Sequence, residues 1–353
     1  MFDANREQIS SSNGLGRWSV QSLETLTRPS ATLSPRERGR VVSQTGFDRR
    51  RFLQTVSLAS GSVLAWNAIH AAAIADEKRP LIVDTHVHCF AGTADKRFPY
   101  HKDGVYQPEK ASTPEDLLDC MKQAGVDFTV IVHPEPYQDD HRYLEHCLEA
   151  GQGKLKGTCL FFAGRPNSIR DMTALVKGQP GKIVTLRIHA YAPDRLPPFG
   201  KPELRELWKA ASELGLAIQL HFEPRHAPGF EPLIQEFAKT KVIIDHLGRP
   251  LQGTPEEHDR VVNWSRFDNT VMKLSSIPLT RTYPHRDVGP IISTLVKAFG
   301  PDRLIYGGGW GEGSTGESYR ASVERVRSLL PGLSVADRSK VLGGNAAKLF
   351  GFS

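Results

Sequence analysis

Leu81-Ile82-Val83-Asp84-Thr85-His86-Val87-His88 opens a series of alternating β-prone and helical segments in the 353-residue chain. Its first half is apolar and β-prone, and its end is polar, as in a buried strand that delivers side chains to one end of a sheet. Seven further runs of this kind follow at 127–133, 157–162, 184–189, 217–222, 241–246, 270–275 and 303–306. Helical spacing fills the gaps. Thr113 is placed to cap a helix with Pro114 at its first position, Asp116 completing a capping box and Gly125 ending it. Leu204, Leu207, Trp208, Ala211 and Leu214 share one helix face, closed by Gly215. Ser334 starts a last helix that runs into Gly344-Asn345-Ala346-Ala347-Lys348-Leu349-Phe350. Strands alternating with helices imply a parallel sheet, and eight units over roughly 250 residues match a single-domain α/β (β/α)8 TIM barrel. The structural alternative is a doubly wound open sheet, but no G-x-G-x-x-G follows the first strand.

Working outward, residues 1–41 are rich in Ser, Thr, Arg and Gly without apolar periodicity, and read as a disordered or mis-annotated extension. Residues 42–75 read as a signal peptide. Asp48-Arg49-Arg50-Arg51-Phe52-Leu53-Gln54 precedes a short apolar stretch from Val56 to Ala68 and a small-residue exit at Ala71-Ala72-Ala73. Paired arginines followed by Phe-Leu resemble a twin-arginine signal, which implies the Tat export machinery as a partner and a periplasmic location. The barrel domain then spans 76–353. No apolar run reaches the roughly 18 residues of a membrane span. The net charge of +6 is concentrated in the N-terminal stretch, with no basic stripe for nucleic acid. Cys89, Cys120, Cys147 and Cys159 form no C-x-x-C pair and read as buried or free thiols.

Five runs carry a histidine at or close to their end: His86, His133, His189, His221 and His246. In a barrel these ends form the floor of the site. Residues two apart share a face, so strict alternation groups Asp84, His86 and His88. It also pairs Arg187 with His189, groups Gln219, His221 and Glu223, and pairs Lys273 with Ser275. An H-x-H at a strand end offers two neutral imidazoles to one divalent cation, and His221 a third. His101, His141, His146, His226, His258 and His285 fall in expected loops or helices and read as surface residues.

Asp84-Thr85-His86-Val87-His88 resembles the opening H-x-H of the amidohydrolase superfamily. Ile243-Ile244-Asp245-His246-Leu247-Gly248-Arg249-Pro250 is similar to the sixth-strand signature of its amidohydrolase-related (type 2) branch, which includes sugar-acid and 2-pyrone-4,6-dicarboxylate lactonases and decarboxylases. Met272-Lys273-Leu274-Ser275 resembles its seventh strand and Gly344-Asn345-Ala346 its last helix. The resemblance implies metal ligands at His86, His88 and His221, and a ligand or carbonyl-polarising group at His246. The metal would be divalent, zinc first and manganese second, or absent. The chain departs from the pattern at the eighth strand. Where the family has Gly-Ser-Asp-Trp, this chain has Gly307-Gly308-Gly309-Trp310, and glycine can neither bind metal nor act as a base.

A positioned base typically contributes ~10²–10⁴-fold, so a substitute is needed. Glu312 and Glu223 are the expected replacements, with Asp245 as a supporting partner of the site. Arg187, His189, Lys273 and Arg249 are expected to bind an anionic substrate. The cations Lys273 and Arg187 have an alternative reading, neutralised by acids such as Asp84. Gly307 to Gly309 are expected to leave space or to bind an anion with their N–H groups. The expected function is metal-assisted hydrolysis of a lactone or similar cyclic ester of a carboxylated small molecule. A decarboxylase of the same family and a catalytically silent binding barrel are the alternatives. On the sequence alone, Gly309→Asp would separate a disabled hydrolase from an altered working site.

Overall fold

The structure is a computed structural model that describes residues 79–191, 195–277 and 287–353. These belong to one compact unit, Lys78–Ser353. The expected extension and twin-arginine signal, and His285, lie outside the described residues.

Eight strands form one sheet, all parallel, in sequence order: β1 Val83–Val87, β2 Phe128–Val132, β3 Leu155–Leu160, β4 Ile183–Ala190, β5 Ala217–Phe222, β6 Val242–Ile244, β7 Thr270–Leu274 and β8 Leu304–Tyr306. The main helices are α1 Pro114–Ala124, α2 Arg142–Ala150, α3 Ser168–Gly178, α4 Pro202–Glu213, α5 Ala227–Glu236, α6 Pro255–Val262, α7 Gly289–Phe299 and α8 Gly316–Ser328. One follows each strand, so the sheet curls into the expected (β/α)8 barrel. The first and last strands meet without a ladder between them; Thr85 Oγ1 donates to the Tyr306 carbonyl at 2.7 Å.

Strand alternation separates two cores. Val83, Val130, Ala217, Ile243, Val271 and Ile305 point inward and pack with Ala346, Phe350 and Phe352 from the C-terminal segment, which plugs the barrel floor. The alternate residues, such as Ile218, Leu220, Ile244 and Met272, pack outward under helices with Leu207, Trp208 and Trp264. Thr113 caps α1 with the full reciprocal box, and Gly125 ends it in the left-handed region at φ +77°. Ser334 caps Val335–Ser339, followed by a π-helical turn at Lys340–Gly344 and a helix at Asn345–Phe350. All four cysteines are free and buried. Among the described residues no helix is long and apolar enough to cross a membrane.

Candidate active site

Above the apolar floor the inward positions turn polar, and Asp245 sits at their centre. Its Oδ2 accepts from Arg187 Nε at 3.2 Å, Arg187 Nη2 at 3.0 Å and Gln219 Nε2 at 2.9 Å. Its Oδ1 lies 3.0 Å from Lys273 Nζ and 3.7 Å from His86 Nδ1. Lys273 also donates to the Thr85 carbonyl at 3.1 Å. All of these side chains are buried. Burial alone would push the carboxyl of Asp245 upward, but Lys273, Arg187 and His86 overcome it and hold the group well below its ordinary range. Asp245 is therefore an ionised counter-charge at the bottom of the site. The neutraliser of Lys273 and Arg187 is thus Asp245, not Asp84. Asp245 has the inward parity of Ile243, because β6 ends at Ile244 and His246 belongs to the turn that follows.

Four imidazoles line the mouth in sequence of contact. Ring centres are 4.5 Å apart for His86 and His246, 4.9 Å for His246 and His221, and 5.1 Å for His221 and His189. His88 stands edge-on to His86 at 5.0 Å. Burial lowers the pKa of each, to about 4 for His88 and about 3 for His246, so all are neutral near pH 7. Partners fix two tautomers. His88 Nδ1 faces the Val132 carbonyl at 2.7 Å, and a carbonyl only accepts; Nδ1 carries the proton and Nε2 is the free donor atom. His221 Nε2 faces the Arg249 guanidinium and the Tyr191 hydroxyl, and Arg only donates; Nε2 is the acceptor there, and the buried Nδ1 has no hydrogen-bond partner. His246 Nδ1 lies 2.9 Å from Ser275 Oγ, which can donate to it or accept from it.

The backbone after β6 brings Arg249 over this cluster. His246, Leu247, Gly248 and Arg249 all have positive φ, between +55° and +69°. For non-glycine residues this region costs roughly 1–2 kcal/mol each, so tertiary contacts must hold the turn. Leu247 is buried, its carbonyl faces His258 Nε2 at 2.7 Å, and a Cβ on Gly248 would stand 2.7 Å from Val261 Cγ1. Arg249 then reaches the hydroxyl of Tyr191 and lies 5.1 Å over its ring.

The start of the site differs from strict alternation. β1 pairs Asp84 with Thr129 but Val87 with Ile131, so it carries one extra residue. Asp84 and Val87 therefore point outward, while His86 and His88 point inward. Asp84 is buried behind the strand, where it accepts from the backbone N–H of His86, Gly308 and Gly309 at 2.9, 2.8 and 2.9 Å and from the Tyr319 hydroxyl at 3.0 Å. The glycine N–H groups expected to bind a substrate anion hold this internal carboxylate instead. Nor do Gly307 and Gly309 leave room, whereas a Cβ on Gly308 would come no nearer than 3.5 Å to its neighbours. A Cβ on Gly307 would stand 2.9 Å from His86 Cβ, and one on Gly309 would stand 2.0 Å from the Tyr306 hydroxyl oxygen.

The remaining expected residues scatter. Glu312 is exposed and 3.8 Å from Lys110 on the surface, which removes the reason for making it the base. Glu223 is half-buried after β5 and held by Arg225 at 2.7 Å. His189 meets Glu135, with Nδ1 3.1 Å from Oε1. His133 points away from the site: Val130 takes the inward parity on β2, and His133 stacks on His141 at 4.2 Å and faces the Gln138 carbonyl. His141 and His258 are buried, not surface residues. Glu135, Tyr191 and the Ser275–His246 contact escape sequence reasoning. The first two lie in connecting segments where no period applies, although the shared parity of Lys273 and Ser275 places Ser275 on the correct face.

The donor set suits a divalent cation. His86, His246 and Asp245 each offer an atom within 4.8 Å of the others, and the imidazoles are neutral. His88 Nε2 adds a free donor beside His86. Asp245 is already engaged by Lys273 and Arg187, and His221 Nε2 by Arg249, so ligation by either would require those cations to withdraw.

The L-fucono-1,5-lactonase of Burkholderia ambifaria is 24% identical over 294 residues, 76% of this chain and 94% of that protein. The crystal structure of a putative 2-pyrone-4,6-dicarboxylic acid hydrolase from Pseudomonas putida superposes with a TM-score of 0.63 at 22% identity, covering 78% of this chain and 99% of that one. A zinc-bound amidohydrolase from Burkholderia multivorans superposes with a TM-score of 0.59 at 17% identity, covering 77% and 100%. The amidohydrolase family model matches residues 83–352, and the chain belongs to that family.

Proposed function

We propose that the protein hydrolyses a lactone or similar cyclic ester of a carboxylated small molecule. The observation that carries this reading is the neutral His246, backed by Ser275 and flanked by His86 above the ionised Asp245, beneath the cation of Arg249. The lactonase and pyrone-dicarboxylate hydrolase names of the similar proteins point the same way.

In the proposed reaction, water oxygen bonds to the ester carbonyl carbon and the ring C–O bond breaks. His246 accepts a proton from the water and returns it to the departing ring oxygen. Ser275 Oγ accepts from Nδ1–H in both states, which leaves Nε2 as the atom that takes and returns the proton. Asp245 faces the charge that forms on the imidazole; its field already raises the basicity of His246 against burial. Arg249 and Tyr191 are available to a substrate carboxylate or to charge developing on the carbonyl. A divalent cation would be held by His86 and His88, with His221 completing the set once Arg249 withdraws from it, and would supply Lewis acidity at the carbonyl while His246 stays free for the proton. Zinc is the proposed ion.

The test is proton release by the full chain in a pH-stat, screened over carboxylated five- and six-membered lactones, alongside metal analysis. Turnover that falls at least 100-fold in His246→Gln supports the reading. CO₂ release without ring opening would replace it with the decarboxylase; binding without turnover would replace it with the silent barrel. We also propose export through a twin-arginine signal at 42–75, tested by recovering a processed chain from the periplasm and losing it with Arg49→Lys/Arg50→Lys.

A further inference from the structure

A second cavity, of about 370 Å³, opens beside the histidine cluster. Its walls are Phe161, Phe162, Ile188, Leu196, Pro197 and Pro198, and it shares His189 and Glu135 with the mouth. The volume falls in the range of small-molecule sites. The imidazole series His86, His246, His221, His189 runs from the counter-charge Asp245 to this shared wall.

The charged groups around the cavity are paired with one another or with neighbours, whereas the buried ring nitrogens of His189 have no hydrogen-bond partner. Glu135 holds Arg195 Nη1 at 2.8 and 2.9 Å and His189 at 3.1 Å. Arg165 binds Gln138 Oε1 at 2.9 Å, lies 3.4 Å from Asp139 and covers the face of Phe162 at 3.8 Å. A charged occupant would therefore have to break existing pairs. Between these paired groups, Phe161, Phe162, Ile188, Leu196, Pro197 and Pro198 give the cavity apolar and aromatic surface. Its lip carries Val105 and Leu196, which are 50% and 42% exposed, large apolar side chains left in water.

We propose that this cavity is a substrate subsite for an uncharged aryl or alkyl arm, so that the substrate is a carboxylated lactone bearing a hydrophobic substituent. This deepens the lactone reading and rests on it for what sits at His246. The reacting ester lies among His86, His246 and His221, the carboxylate faces Arg249, and the arm passes His189 into the cavity. Each methylene buried there should tighten binding roughly fourfold.

Isothermal titration calorimetry on the full chain with 3-phenylpropionate and propionate tests this without requiring turnover. The phenyl acid should bind at least about tenfold tighter than propionate. Leu196→Asp at the exposed lip and Ala163→Trp in the lining should abolish that preference and leave propionate unchanged, with thermal unfolding confirming that both variants fold. No preference in the wild type, or a preference that survives both substitutions, would overturn the subsite. If the preference is found but no lactone is opened, the subsite stands and the reaction falls; if a lactone is opened without the preference, the reaction stands and the subsite falls.

Discussion

Asp245 Oδ1 stands 3.0 Å from Lys273 Nζ, with both side chains sealed from solvent. Arg187 takes the other carboxylate oxygen at 3.0 Å. Two cations thus depend on one buried anion. Removing one partner of such a set leaves an uncompensated buried charge, typically a loss of about 3–5 kcal/mol. Asp245→Asn should destabilise the barrel by that order in denaturant unfolding. Asp245→Asn combined with Lys273→Met should be less destabilised than the sum of the two single changes, because the second removes a charge the first orphaned.

Gly309→Asp reads on the sequence as restoration of a missing acid. The structure predicts otherwise. The new Cβ would meet Tyr306 Oη at 2.0 Å and Tyr319 Cε2 at 2.7 Å, and the carboxylate would crowd Asp84, which already accepts the Gly309 N–H. Overpacking costs typically about 1–3 kcal/mol, and a second buried carboxylate adds to it. The expected result is a lower Tm and reduced activity; a gain in activity at unchanged Tm would count against this packing.

His141 gives the fold a pH dependence. Its Nδ1 faces the Asp139 carbonyl at 3.0 Å and its Nε2 accepts the Leu160 N–H at 3.0 Å, so only the neutral ring satisfies both. Burial lowers its pKa from 6.5 to about 4. The unfolded chain therefore binds more protons over that interval. Stability should be fully present above pH 6.5 and be lost as pH falls towards 4, by about 3 kcal/mol for this residue. Denaturant unfolding between pH 7 and 4 should show a shallower decline in His141→Asn than in the wild type.

Ser275 is a positioning residue for His246, reaching it from 2.9 Å. Ser275→Ala should lower kcat about tenfold with KM little changed, since a hydrogen bond to the working imidazole is lost and no substrate contact is. The pH profile of kcat should move as well, whereas a purely structural loss would lower activity equally at every pH. Ser275→Thr should recover much of the rate.

Much of this architecture is legible in the chain. The eight runs, the α1 capping box and the Leu204–Trp208 face follow from period and cap chemistry, and they fix the barrel and the strand ends that carry histidines. Positions around irregular backbone do not follow. The extra residue in β1 turns Asp84 away from His86, and nothing in Asp84-Thr85-His86-Val87-His88 marks it. Four consecutive left-handed residues at 246–249 place His246 and Arg249 in the mouth, although three of them are not glycine. Asp245 looks secondary beside His246 only while the strand is extended to His246, two residues past its end at Ile244. The run of glycines reads as open space in the sequence, but Tyr306 and Tyr319 fill it at Gly309 and His86 fills it at Gly307.

Hydrolytic opening of a lactone ring at His246 is tested most directly by turnover of a carboxylated lactone in H₂¹⁸O, followed by mass spectrometry of the product. One ¹⁸O is predicted in the new carboxylate with the wild type, and at least a 100-fold slower appearance with His246→Gln. A product that has lost CO₂, or ring opening at the same rate in both proteins, would contradict hydrolysis at this histidine.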